Sequence, residues 1–308
     1  MRPMPSPGTL LCLASAAAFG AMGIFGKLAY DEGASVGTLL ATRFVLAAAL
    51  FWLVVAGSGR ARHLRTLPRR DVAIALALGA VGYSAQAGGY FAALERLDAS
   101  LLSLLIYTFP AIVTVSAIAL GRERASWRTA FALVLASAGL VLVLAGAAAG
   151  ALDPVGTALG LFAATVYSVY ILTSEGIAAR IGPLALSTLV CTGAAATLTL
   201  GGLATGDLAL SGVGAQGFGW LAGIAVVSTV GAVGLFFAGL QRVGPTAASI
   251  LSTLEPVVTV ALAFLVFGES LGPTQLAGGA LVLLAVLAVR TPVRVTVLPA
   301  PAASRAGA

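Results

Sequence analysis

Phe91-Ala92-Ala93-Leu94-Glu95-Arg96 recurs as Phe237-Ala238-Gly239-Leu240-Gln241-Arg242, and the match runs without a gap from 90–143 onto 236–289 at a constant offset of 146 residues. Ser103 falls on Ser249, Pro110 on Pro256 and Glu123 on Glu269. Shared composition would align alanines and leucines; two prolines and two loop glutamates kept in step mark an internal duplication. The helices preceding this segment in each half resemble each other only loosely, with Ala16-Ala17 near Ala163-Ala164.

The duplicated unit is built for lipid. Mean hydropathy is +1.05, and the 308 residues are 59% hydrophobic and 9% charged, against about 25% charged in soluble domains. Apolar runs long enough to cross a bilayer occur at roughly 9–30, 36–56, 72–94, 98–120, 126–146, 154–175, 183–203, 216–240, 245–267 and 274–290. The expected fold is an all-α integral membrane protein of ten transmembrane helices in two five-helix repeats. The first repeat is set at 9–146 and the second at 154–290, followed by a disordered cytoplasmic tail over 291–308, rich in Ala and Pro. The apolar character of the first run continues to Tyr30 without the polar break of a cleaved leader, so it is read as a retained span.

The charges sort by loop. Arg2, the cluster Arg60, Arg62, Arg65, Arg69 and Arg70, then Arg122, Arg124, Arg128, Arg180, Arg242, Arg290, Arg294 and Arg305 fall on one side, fourteen of the seventeen basic residues. The opposite loops carry Asp31, Glu32, Asp98, Asp153, Asp207 and Glu269, with only Lys27 and Arg96 as cations near helix ends. The positive-inside rule then places both termini in the cytoplasm, and the expected location is the cell (inner) membrane. The net charge of +6 is thus topological, and nucleic acid is not an expected partner. Five spans per repeat is an odd number, so the second copy enters from the opposite side. Inverted repeats of this kind recur in secondary transporters, which hold their solute near the midplane between the halves.

Phe19-Gly20 with Lys27 in the first span, Arg43-Phe44 in the second, Ala92-Ala93-Leu94, Pro110 and Glu123 in the first repeat, and Leu254-Glu255-Pro256 followed by Gly268-Glu269 in the second carry a family resemblance. Together, in this order, they resemble the EamA branch of the drug/metabolite transporter superfamily, ten-helix carriers of two inverted repeats. Phe19 stands where the family usually has Trp, and Met22 where a polar Asn is common. The resemblance implies secondary transport of a small metabolite, such as an amino acid, in the direction of export.

Within the spans a few polar side chains stand out. Glu255 lies near the centre of the ninth span, where an unpartnered carboxylate is expensive; it is either a structural carboxylate, held by helix-end donors or in an ion pair, or a solute- or proton-responsive site. Pro256 beside it predicts a kink. Arg43, deep in the second span, is either the partner of Glu255 or of backbone carbonyls, or the anchor of an anionic solute group. Lys27, close to the outer boundary, is expected to snorkel to water. Tyr83, Gln86 and Tyr90 recur at three- and four-residue steps on one face of the third span, and Tyr107, Tyr167 and Tyr170 lie at comparable depth. These eight residues, Lys27 excluded, form the candidate solute-binding set, a lining suited to a small amphipathic solute.

Other chemistries find little support. The sole histidine, His63, lies in a basic loop, and Cys12 and Cys191 sit in apolar spans far from any CxxC spacing, so neither a metal site nor a disulfide is expected. No GxxxxGK[ST] phosphate cradle is present, and no cofactor is called for. An intramembrane hydrolase would need a histidine or lysine base at depth, so an enzyme is not expected. The remaining alternatives are a passive channel or facilitator and a multidrug-type proton antiporter. Expected partners are therefore a small-molecule solute, the lipid bilayer and, as a candidate coupling ion, the proton; nothing in the sequence selects an oligomeric state.

Overall fold

The computed structural model describes residues 6–120, 127–148, 153–236, 238–239, 242, 251–252 and 254–289, and every regular element among them is helical. Six helices are long and apolar enough to cross a membrane: Pro7–Asp31, Val36–Gly57, Arg69–Leu94, Pro154–Ala178, Pro183–Thr205 and Ala215–Phe236. Four shorter apolar helices, Ala99–Val113, Val134–Gly146, Leu254–Phe267 and Pro273–Ala285, fall on the remaining expected spans. These ten are numbered first to tenth in chain order below. The tail expected over 291–308 lies outside the described residues, as do Glu123 and the loop joining the fourth and fifth spans.

Local sequence sets the helix ends. Ser35 caps the second span by accepting from the Thr38 amide at 3.1 Å. Asp153 caps the sixth, with Pro154 at its first helical position and the Gly156 amide donating at 2.6 Å, a side-chain oxygen satisfying an orphan donor in each case. The fourth span breaks into Ala99–Ile106 and Phe109–Ala119. Pro110 explains the break, because it offers no amide to the turn before it. The kink expected at Pro256 falls beside residue 253, outside the described residues.

Loop contacts sort the connections to two ends of the bundle. At one end Lys27 meets Glu269 at 2.8 Å and Asp98 at 3.6 Å, and Arg96 meets Asp153 at 3.4 Å. At the same end the Gly37 amide donates to Asp207 at 2.7 Å, and the Gly214 amide donates to the Glu32 carbonyl at 2.9 Å. At the other end Arg180, closing the sixth span, holds Asp71 at the start of the third at 3.0 Å. Among the described loops, alternate ones therefore face opposite ends, and the five-span repeats are inverted relative to one another.

The packing obeys the same pseudo-twofold relation. The first span lies on the eighth and ninth, as the sixth lies on the third and fourth; the second packs on the eighth as the seventh packs on the third. Second with seventh, fourth with ninth and fifth with tenth are pairs the relation maps onto themselves. Glycine lets the last of these close: a Cβ on Gly278 would stand 2.6 Å from the Gly139 carbonyl oxygen, and one on Gly139 would stand 2.7 Å from that of Gly278. Large apolar side chains such as Leu53, Val134, Leu200 and Leu265 stay exposed on the outside of the bundle, where acyl chains rather than water satisfy them.

Candidate functional site

Arg43 projects from the second span and is 3% exposed. Its Nε donates to Thr229 Oγ1 of the eighth span at 3.0 Å, and the guanidinium lies 4.9 Å from the Phe44 ring and 5.4 Å from the Phe91 ring. Aromatic faces and a neutral hydroxyl stabilise a weakly hydrated planar cation without cancelling its charge. Tyr83 of the third span interacts with the same guanidinium.

Both side chains that flank Arg43 come from distorted turns. Residues Leu78–Tyr83 and Val226–Gly231 are π-helical, occupying equivalent stretches of the third and eighth spans. A π turn lengthens the i→i−4 ladder by one residue and frees a carbonyl. In each span a hydroxyl takes up a carbonyl five residues back: Ser84 donates to Gly79 at 2.9 Å, and Thr229 donates to Ile224 at 2.9 Å. The third span also closes tightly on the seventh, where a side chain at Gly193 would run into the Leu76 carbonyl.

Glu255 is half-buried in the ninth span. Tyr107, at the break in the fourth span, points its hydroxyl at both the Ser252 carbonyl, 2.7 Å away, and Glu255 Oε2, 3.2 Å away. Tyr90 joins the Arg43 cluster through Phe91, whose ring lies 5.1 Å from its own and faces Arg43. Among the described residues no ion pair joins Glu255 to Arg43, so the expected pairing of the arginine with that carboxylate is not formed.

A continuous wall of rings connects them. Phe44 meets Tyr83 edge-on at 5.2 Å, Tyr83 stacks on Tyr170 at 5.5 Å and Tyr170 on Tyr167 at 6.4 Å. Tyr167 then meets Phe109 at 4.8 Å, and Phe109 meets Tyr107 at 5.8 Å. The expected residues Arg43, Tyr83, Tyr90, Tyr107, Tyr167, Tyr170 and Glu255 thus come together. Gln86, half-buried on the same helix as Tyr83 and Tyr90, has no hydrogen-bond partner among the described residues.

Sequence reasoning missed Thr229, Phe91 and Phe109. For Thr229 a signal existed, because the 146-residue offset carries Tyr83 onto it. Lys27 gains a partner that was not expected: at the end of the bundle its ammonium meets Glu269. The Glu269 carboxylate in turn accepts from the Ala99 and Ser100 amides at 3.2 and 3.0 Å, capping the fourth span. Burial disfavours its charge, yet the Lys27 ammonium and the two amides outweigh that and hold its carboxyl below the usual range. Asp153 is also held low, first by the Gly156 amide and then by Arg96.

Two inverted bundles enclosing buried polar groups define a multi-pass membrane transporter. The model of the EamA-like transporter family matches the chain twice, over residues 6–145 and 154–291, and the chain belongs to that family. It is 28% identical over 284 residues to the uncharacterized transporter YcbK of Bacillus subtilis (strain 168), covering 88% of each chain. An uncharacterized transporter of Archaeoglobus fulgidus is 29% identical over 198 residues, covering 64% of this chain and 69% of that one. A solved crystal structure shares the fold with a TM-score of 0.65 at 19% identity, over 92% of this chain and 96% of the other.

Proposed function

We propose that this chain is a secondary carrier that exports a small amphipathic metabolite, of the amino-acid kind, across the cytoplasmic membrane by alternating access. Its two repeats, 9–146 and 154–290, act as the moving halves, and both termini face the cytoplasm. The observation that carries this reading is the placement of the buried Arg43 and the half-buried Glu255, opposite charges left unpaired with each other, among side chains of both repeats. Unpaired charges at bilayer depth are costly unless a solute or coupling ion uses them. The sorting of fourteen basic residues to one set of loops supports the orientation. Nothing in this chemistry calls for an enzyme.

Reconstitution in liposomes with a panel of labelled metabolites, with and without a pH gradient, tests the proposal. A carrier accelerates uptake of labelled solute when unlabelled solute is trapped inside. Flux without such counter-flow acceleration would identify a passive channel instead, and strict dependence on the pH gradient would assign proton antiport, for which Glu255 is the candidate carrier of the proton.

A further inference from the structure

We infer that the connection between the second and third spans is a binding surface for anionic phospholipid headgroups, at the arginine-rich end of the bundle. Arg60, Arg62, Arg65, Arg69 and Arg70 crowd into eleven residues with no acidic side chain among them, and all five are exposed. None forms an ion pair with a described residue. The nearest acid in sequence, Asp71, is already held by Arg180 at 3.0 Å. Orientation does not ask for so many cations in one place, since the connection between the sixth and seventh spans carries Arg180 alone.

The fold holds these arginines at the depth of lipid headgroups. The second span ends at Gly57 and the third begins at Arg69, and the chain between them winds one short helix, Ala61–Thr66. Leu64 and Leu67 pack against an apolar cluster that includes Ala75 of the third span, Ile181 at the close of the sixth and Ala185 in the first turn of the seventh. The connection is thereby pinned to the ends of three spans and does not project into water. Just before it, Trp52, Leu53 and Val54 are exposed on the outside of the bundle, which brings acyl chains up to its base.

The chemistry of the surface selects among lipids. A guanidinium offers two parallel donors to a pair of phosphate oxygens, and an anionic headgroup lowers the field of five clustered cations where a zwitterionic one does not. A soluble phosphate compound lacks the acyl chains that would lie against Trp52 and Leu53, so a phospholipid is the better fit.

Trp52, 42% exposed on the acyl side of the arginines, reports on the lipid bound there. The full chain with Trp127→Phe and Trp220→Phe keeps it as the sole tryptophan. Reconstitution in phosphatidylcholine bilayers doped with brominated phosphatidylglycerol or, separately, brominated phosphatidylcholine measures its quenching by each lipid. Phosphatidylglycerol should quench at about fivefold lower mole fraction, the scale of one arginine's attraction to an anionic surface, and the preference should shrink as salt rises. Arg62→Gln with Arg65→Gln, which leaves three arginines to hold the orientation, should cut the preference by about half or more. A companion chain that keeps only Trp220, near the start of the eighth span at the opposite end of the bundle, should show none. Equal quenching by both lipids at Trp52, an equal preference at Trp220, or a preference that survives the two arginine substitutions overturns the inference. So does a preference erased by inorganic phosphate at constant ionic strength, which would assign the arginines to a soluble anion. Quenching requires no transport, so the result stands apart from the carrier reading.

Discussion

Tyr83 of the third span and Thr229 of the eighth, 146 residues apart, both engage the guanidinium of Arg43. Each belongs to a π-helical segment, so the duplication has preserved a distorted turn in both halves while their side chains diverged. Arg43 itself has no basic counterpart: the same offset carries it onto Leu189. One cation from the second span is therefore gripped by the third span of its own repeat and the eighth span of the other. Under the proposed alternating access, motion of one repeat against the other would have to rearrange that grip.

Removal of the Thr229 hydroxyl tests the grip. Thr229→Val keeps the volume but takes away the acceptor of a buried charged donor, a loss of about 1.5–3 kcal/mol. Thr229→Ser retains the acceptor and should stay within about 1 kcal/mol of wild type. Thermal unfolding of the purified proteins in detergent measures both; equal stability of the valine variant and wild type would refute a stabilising role for this contact.

The Lys27–Glu269 pair closes the end of the bundle that also holds Asp98 and Asp153. The Glu269 carboxyl titrates lower in the folded protein than in the unfolded chain, so it contributes stability above the ordinary carboxylate range. That contribution is lost as pH falls from the ordinary carboxylate range through the depressed value. Glu269→Gln should flatten the acid limb of a melting-temperature series over that window. Lys27→Met should cost about 2–3 kcal/mol by leaving a largely buried carboxylate without its cation, and the double variant should cost less than the sum of the two.

Gly278 tests the contact between the fifth and tenth spans. Any Cβ there meets the Gly139 carbonyl and the backbone of Val143, neither of which can rotate away. Gly278→Val should destabilise by about 1–3 kcal/mol or more through overpacking, seen as reduced folded yield and a lower melting temperature. The same change at Gly219, whose added Cβ would meet nothing within 4 Å, should be tolerated.

Topology can be read with a membrane-impermeant thiol reagent on intact cells. Cys12 and Cys191 are free and buried, which keeps the background low. Cysteine at Asp153 or Asp207 should label from outside, whereas cysteine at Arg65 should label only after the membrane is opened. External labelling at position 65 would reverse the orientation.

Much of this protein is legible in one dimension. Hydropathy determined ten spans, because a bilayer demands an apolar run of fixed length whatever its neighbours are. The duplication and the alternation of Arg-rich and acidic loops determined that the halves are inverted. Both are properties of residue order alone, and they placed Arg43 and Glu255 at depth. Which charges meet was decided only by tertiary structure. Lys27 found Glu269 and Arg43 did not find Glu255, because partners far apart in sequence are chosen by how helices pack, not by their separate depths. The ring wall from Phe44 to Tyr107 is equally tertiary, drawing on the second, third, fourth and sixth spans. The regular three- and four-residue spacing used for the third span could not foresee its π segment either. That segment, which ends at Tyr83, is stabilised by the Ser84 hydroxyl and by close contact with the seventh span.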